Sequence, residues 1–130
     1  MTSPTQRTLK HLKDRGWKGS IVERWIPNPK YPGGGKRLDY MNIIDIISIQ
    51  GPQTLGIQST GQDFSGHHRK LTEEKAEEVK LWLSGKTRRL LLIGWRKVKK
   101  KRGGKAMVWR PRVREYWLKG DKIVWKDYKN

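Results

Sequence analysis

The spacing of apolar residues changes period several times along the chain, and each change marks an element. In residues 5–15, TQRTLKHLKDR, only Leu9 and Leu12 are apolar and lie three apart. This predicts a short basic helix with a narrow buried stripe, Thr5 as a possible N-cap and Gly16 as its stop. Residues 20–26, SIVERWI, read as a strand. Pro27, Pro29, Pro32 and Gly33–Gly35 follow and predict a loop without regular structure. Residues 40–49, YMNIIDIISI, are apolar on both faces, as in a buried central strand. Gly51-Pro52 predicts a turn, and 53–60, QTLGIQST, the second arm of a hairpin.

Leu71, Val79, Trp82 and Leu83 then recur at helical spacing, which predicts one helix over roughly 66–84. Glu73, Glu74, Glu77 and Glu78 in its early turns suit the positive end of the helix dipole, Thr72 is a second possible cap, and Gly85 stops it. Residues 88–95, RRLLLIGW, read as a strand, 96–105 as a basic turn, and 106–117 and 121–128 as aromatic-rich strands. The order is α-β-β-β-α-β with a C-terminal β extension, an α/β class built on a mixed central sheet. At 130 residues this is one domain, 1–130, with a core of about 5–95 and a basic extension of about 96–130. No internal repeat interrupts it.

Composition narrows the function. Hydrophobic residues make up only 34%, yet seven Trp and four Tyr supply large buried areas, which argues against disorder. The absence of cysteine excludes disulfides, thiolate zinc sites and Cys nucleophiles, and is compatible with a reducing, cytoplasmic compartment. No apolar run reaches the 18 residues of a membrane span, and the N-terminal residues lack the apolar stretch of a secretory signal. The net charge of +18 points to a polyanion, most often nucleic acid. Residues 86–114 hold thirteen cations and no acid in 29 residues. Arg96, Lys97, Lys99, Lys100, Lys101, Arg102, Lys105, Arg110 and Arg112 are the candidates there for a nucleic-acid face, with Lys36, Arg37 and Arg69 elsewhere. Trp95 and Trp109 are interleaved with them. The plainer alternative is a solvated basic surface over a core that holds the tryptophans.

One constellation of oxygen-bearing side chains carries possible chemistry. Asp45 sits inside IIDII, where a carboxylate is costly unless it is paired or bound to a cation. Gln58 and Thr60 are two apart on the following strand, so they share a face at about 7 Å. Glu23 is another acid between apolar residues. In a 40–60 hairpin the four can converge, as ligands of a hard cation or, for Asp45, as one half of an ordinary salt bridge.

This arrangement resembles the PD-(D/E)XK nuclease superfamily, most closely its small Holliday-junction-resolvase-like and phage-type members, over about residues 5–95. The resemblance implies a restriction-endonuclease-like core and a Mg²⁺- or Mn²⁺-dependent endodeoxyribonuclease. Asp45 matches the motif Asp, Gln58 the second acid, Thr60 the motif Lys, and Glu23 an additional upstream Glu. It further implies metal ligation by Asp45, Gln58 and Glu23. Two positions depart from the pattern: Gln58 brings oxygen without charge, and Thr60 brings no ammonium. Lys70 or Arg69 at the start of the next helix is the expected substitute cation, with His67 and His68 nearby. The expected substrate is branched DNA such as a four-way junction, and symmetric cutting of a junction implies a homodimer. A catalytically inactive, nucleic-acid-binding relative is the alternative, and an RNA- or ribosome-associated protein a further one.

Overall fold

The computed structural model describes residues 3–128, apart from the side chain of Arg37. Helix α1 spans Pro4–Lys13, and its N-cap is Ser3, whose hydroxyl accepts from the Gln6 amide at 3.1 Å. Pro4 fits the first helical position because its missing N–H would have no helical partner there. The expected cap, Thr5, instead shares a 2.9 Å hydrogen bond with the Ser59 hydroxyl. Eight strands follow: β1 Lys18–Ile21, β2 Arg24–Pro27, β3 Gly35–Leu38, β4 Ile46–Gln50, β5 Gln53–Thr60, β6 Arg88–Lys99, β7 Met107–Lys119 and β8 Lys122–Tyr128. Helices α2, Phe64–Arg69, and α3, Ala76–Leu83, lie between β5 and β6.

Six strands form one mixed sheet in the order β1-β4-β5-β6-β7-β8, with β2 and β3 pairing separately. Only β5 and β6 are parallel, and the α2–α3 segment is the crossover that parallel neighbours require. Helix α1 covers one face, over Ile46, Leu55, Ile57, Leu91, Ile93 and Trp95. The α2–α3 segment covers the other, where Leu71, Val79 and Trp82 meet Ile43, Ile44, Leu90, Leu92 and Tyr116. Strands β5 and β6 are thus buried on both sides, which is why LLLI reads as an unbroken apolar run. Gly94 lies under the Phe64 ring, where an added Cβ would sit 2.6 Å from a ring carbon.

The sheet bears out the α/β class, and the local order departs from expectation in four places. The strand expected at 20–26 is two. After Ile21 the chain leaves the sheet with a last bond from the Val22 amide to the Asp45 carbonyl at 2.8 Å, and Arg24–Pro27 pairs with Gly35–Leu38 instead. The Pro/Gly segment is therefore the tip of a hairpin rather than an irregular loop. Pro27 is tolerated at the end of a two-stranded ladder, and Gly33 and Gly34 turn the chain at φ 78° and 83°.

Residues 40–44 are not strand. Met41 and Asn42 adopt φ 54° and 62° and close a tight turn, so β4 starts at Ile46 and Asp45 stands just before it. The single long helix is broken by a π-turn, Lys70–Glu74, held by a 2.7 Å bond from the Lys75 amide to the Lys70 carbonyl. A regular helix would place Val79 about 80° around from Leu71, and one extra residue cuts this to about 20°. The π-turn thus lets both residues face the sheet. Finally, the basic turn is shorter than expected: residues 96–99 continue β6, and the turn closes with Lys100 N–H on the Ala106 carbonyl at 2.9 Å.

Candidate metal and nucleic-acid site

Four backbone segments deliver the site to the C-terminal end of β5. Glu23 follows the point where β1 leaves the sheet, and Asp39 follows β3, so both acids stand at the base of the β2–β3 hairpin. The turn after Asp39 is tied by Tyr40 N–H to the Ile44 carbonyl at 2.9 Å and by Ile44 N–H to the Tyr40 carbonyl at 3.1 Å. The next residues out, Asp39 and Asp45, therefore meet. Asp45 is held by its own amide to the Ile57 carbonyl at 2.8 Å, beside Gln58.

Asp45 is almost fully buried. Its Oδ2 accepts from the Ser59 amide at 2.8 Å, the Gln58 side-chain amide at 2.9 Å and the Ser59 hydroxyl at 3.0 Å. Gln58 Nε2 also donates to Asp39 Oδ2 at 3.2 Å. Lys70, the first residue of the π-turn, donates to Gln58 Oε1 at 3.3 Å and lies 3.7 Å from Asp39 Oδ2. One carboxylate oxygen from each of Glu23, Asp39 and Asp45 lies within 4.8 Å of the others. Burial pushes the Asp45 carboxyl up to about 7, helped by a side-chain hydrogen bond with Asp39 and by that neighbour's charge, against the opposing Ser59 bonds.

Of the expected site residues, Glu23, Asp45, Gln58 and Lys70 come together. Gln58 turns its nitrogen rather than its oxygen toward the acids, so it links the carboxylates where the resemblance implied a ligand oxygen. Thr60 is buried opposite Gly94 and makes none of the hydrogen bonds that tie the cluster. Arg69 points away, exposed, to Glu73 at 3.4 Å. Both histidines lie on α2: His67 Nδ1 is 2.7 Å from the Asp63 carbonyl and His68 Nδ1 2.7 Å from the Tyr116 hydroxyl. Burial, then the nearby Arg114, lowers the His68 pKa.

Asp39 and Ser59 are the members that sequence reasoning missed. For Asp39 the signal was Asn42 three residues on, a residue type that favours left-handed turns.

Asp39 also changes the test of fit to Mg²⁺, which takes hard oxygen donors in near-octahedral geometry. Ligands of one such ion at ~2.1 Å stand about 3–4 Å apart. One oxygen of each of the three carboxylates lies within 4.8 Å of the others, near that spacing. With all three ionised and Lys70 beside them, the cluster carries −2, matched to a divalent cation. The residues fit the group.

The basic positions lie mainly on β6, β7 and the turn between them, with Lys36 and Arg37 on β3. Arg96, Lys97 and Lys99 are exposed on β6, and Lys100, Lys101, Arg102 and Lys105 are exposed in the turn. Arg110 and Arg112 are exposed on β7, and Arg96 pairs directly with Arg110 across the ladder. Lys36 is exposed on β3, 5.2 Å from the Tyr31 ring centre. Arg37 lies opposite Trp25 in the hairpin register, and its side chain is outside the described residues. Trp95 is core, its indole N–H donating to Thr8 at 2.8 Å, whereas Trp109 is 44% exposed.

No family model, curated protein or solved structure matches the chain. Among the described residues no helix is long and apolar enough to cross a membrane.

Proposed function

We propose that the protein is a divalent-metal-dependent DNA endonuclease of the PD-(D/E)XK type, acting on branched DNA such as four-way junctions. The observation that carries this reading is the convergence of Glu23, Asp39 and Asp45 with the Lys70 ammonium beside them, on a chain of net charge +18. The order of helices and strands, and the mixed sheet, accord with the α-β-β-β-α-β core expected for that superfamily. Asp39 supplies the second acid that Gln58 lacks, and Lys70 the ammonium that Thr60 lacks.

Bound Mg²⁺ or Mn²⁺ would supply charge stabilisation and a lower pKa for the attacking water. The chain's own part is to hold and to neutralise. Ser59 and Gln58 fix the Asp45 carboxylate, and Gln58 keeps Asp39 beside it. Lys70 offers a cation to the charge that develops on the scissile phosphate. Cations on a surface this basic contact phosphates, which position DNA without reading its bases, and this favours recognition by shape. Cutting both strands of a junction symmetrically calls for two copies of the chain.

A second reading has one observation in its favour. Gln58 ties the two aspartates together through hydrogen bonds alone, as a catalytically inactive nucleic-acid-binding relative would require. Linear, flapped, single-stranded and four-way DNA incubated with Mg²⁺, Mn²⁺ or EDTA separate the two. Cleavage of the four-way substrate that EDTA abolishes is the expected result. Binding without cleavage of any substrate would leave the second reading.

A further inference from the structure

A cleft of about 810 Å³ opens beyond the C-terminal end of β5, between the start of α1, the start of α2 and the β6–β7 ladder. Its size is that of ligand pockets, and its place, past the carboxyl end of a parallel strand, is where open α/β sheets bind ligands. Two arginine–aromatic stacks stand in its walls. The Arg7 guanidinium lies 3.8 Å from the Trp109 ring centre, and the Arg112 guanidinium 4.1 Å from that of Phe64. Arg96 and Lys97 are exposed beside them, and no acid is among the lining residues. Arg112 is partly engaged by Asp127 at 3.5 Å, and Arg96 shares its face of the ladder, which leaves Arg7 and Lys97 as the principal cations on the Trp109 side of the cleft.

Resting on the nucleic-acid reading above, we propose that this cleft receives one unpaired nucleotide of a branched or frayed DNA. Its base would extend the Trp109–Arg7 stack, lying on the free face of the guanidinium, and its phosphate would lie against Lys97, which pairs with Trp109 across the ladder. The chemistry selects this ligand. An exposed indole with a guanidinium on its face offers a flat π-surface and a cation to a base, and the sequence-tolerant stacking of single strands uses that pair. A paired base inside a duplex cannot enter, because its faces are already stacked. Gly61, at the cleft, is three residues past Gln58 on the same run of chain. At ~3.3 Å per residue this is about 10 Å along the chain, with Gln58 turned to the α2–α3 face and Trp109 to the α1 face.

The test measures binding in EDTA, which separates it from cleavage. Fluorescence anisotropy is read for a fully paired duplex, the same duplex with one extrahelical nucleotide, and a single strand of equal length. Wild type should bind the two substrates with unpaired bases more tightly than the paired duplex. Trp109→Ala should weaken those two by about tenfold or more, in keeping with the loss of one base–aromatic stack, and the paired duplex by less than twofold. Trp109→Phe, which keeps a ring, should retain most of the preference, and a thermal midpoint within a few degrees of wild type checks that both variants fold. Equal losses on all three DNAs, or no preference in the wild type, would overturn the cleft assignment alone. Failure to bind any of the DNAs would overturn the nucleic-acid reading with it.

Discussion

Asp45 holds its proton to a higher pH in the folded chain than in the unfolded one, and this sets the sign of a pH dependence. Its folded value is about 7 against an ordinary 3.8, because burial and the neighbouring Asp39 disfavour the charge. Below pH 4 both states are protonated and the group contributes no slope. Between about pH 4 and 7 the unfolded chain binds fewer protons, so stability falls as pH rises, by at most about 1.4 kcal/mol per unit. Asp45→Asn should remove this slope and raise the thermal midpoint in EDTA at pH 8 above that of wild type. An unchanged difference between pH 5 and 8 in the variant would show that the slope arises elsewhere. Mg²⁺ competes with the same proton, so the midpoint shift it produces in wild type should grow between pH 6 and 8. Asp45→Ala should abolish cleavage at any of these pH values. Gln58 supplies a second test. Gln58→Glu replaces a donor shared by two carboxylates with a fourth acid in the cluster. In EDTA the variant should melt several degrees lower, and millimolar Mg²⁺ should recover more of that loss than it adds to wild type. Equal Mg²⁺ shifts in the two proteins would place Gln58 outside the cation's reach. For Lys70, Lys70→Ala should lower the cleavage rate by about 10²-fold or more with little effect on DNA affinity, as loss of one charge-stabilising donor predicts.

At the scale of the element, the site depends on one tight turn. Tyr40–Ile44 reverses the chain within five residues, and Met41 and Asn42 take left-handed conformations to do it. A β-branched residue at 42 would add about 1–2 kcal/mol of strain, whereas glycine adopts φ 62° freely. Asn42→Gly should therefore leave stability and cleavage near wild type, and Asn42→Val should lower both, measured by chemical denaturation and by initial rate. Comparable losses in the two variants would mean that the Asn42 side chain matters in its own right. The same turn explains how much was legible in the sequence. The apolar run at 88–95 identified one central strand, because burial on both faces leaves a continuous pattern, and the Gly51-Pro52 turn marked the start of the other at 53–60. The run at 40–49 looked like a third such strand, since Ile43 and Ile44 are fully buried too, but they reach the core from a turn. Periodicity reports burial, not backbone path. Asp39 was missed for a related reason: what joins it to Asp45 is the path of the turn, which Asn42 alone signals, and its position after a Pro/Gly hairpin resembled a loop. Glu23 was found for its apolar neighbours, although these belong to two different sheets. The π-turn left a trace only in the 80° mismatch between Leu71 and Val79, and it is the element that carries Lys70 to the cluster.

At the scale of the whole molecule the unbalanced charge has structural costs that binding would relieve. Arg96 and Arg110 are direct cross-strand neighbours, a like-charge pair that weakens the ladder in the free protein. The turn beyond them adds Lys99, Lys100, Lys101 and Arg102, all exposed, with Gly103 at φ 77° bending the chain. Lys99 is five residues past Gly94 on β6, about 17 Å at ~3.3 Å per residue, so this turn can grip a phosphate backbone at a distance from the chemistry. Each phosphate neutralised on duplex DNA releases condensed counterions, and log affinity falls with log salt by about 0.9 per contact. Replacing the four residues with Ser should weaken binding to all duplex sequences alike and flatten the slope by about two to three units, allowing one cation to miss the backbone. Cleavage at saturating substrate should stay near wild type, because none of the four reaches the carboxylates. An unaltered salt slope would mean that these residues serve solubility. Arg89 and Arg114 could not then take over the contact readily, since Glu115 and Asp127 hold them, and Arg88 is turned back onto the Trp82 carbonyl at 2.7 Å. The DNA face would have to be sought on Arg96, Arg110 and the β2–β3 hairpin, whose base carries two of the three carboxylates.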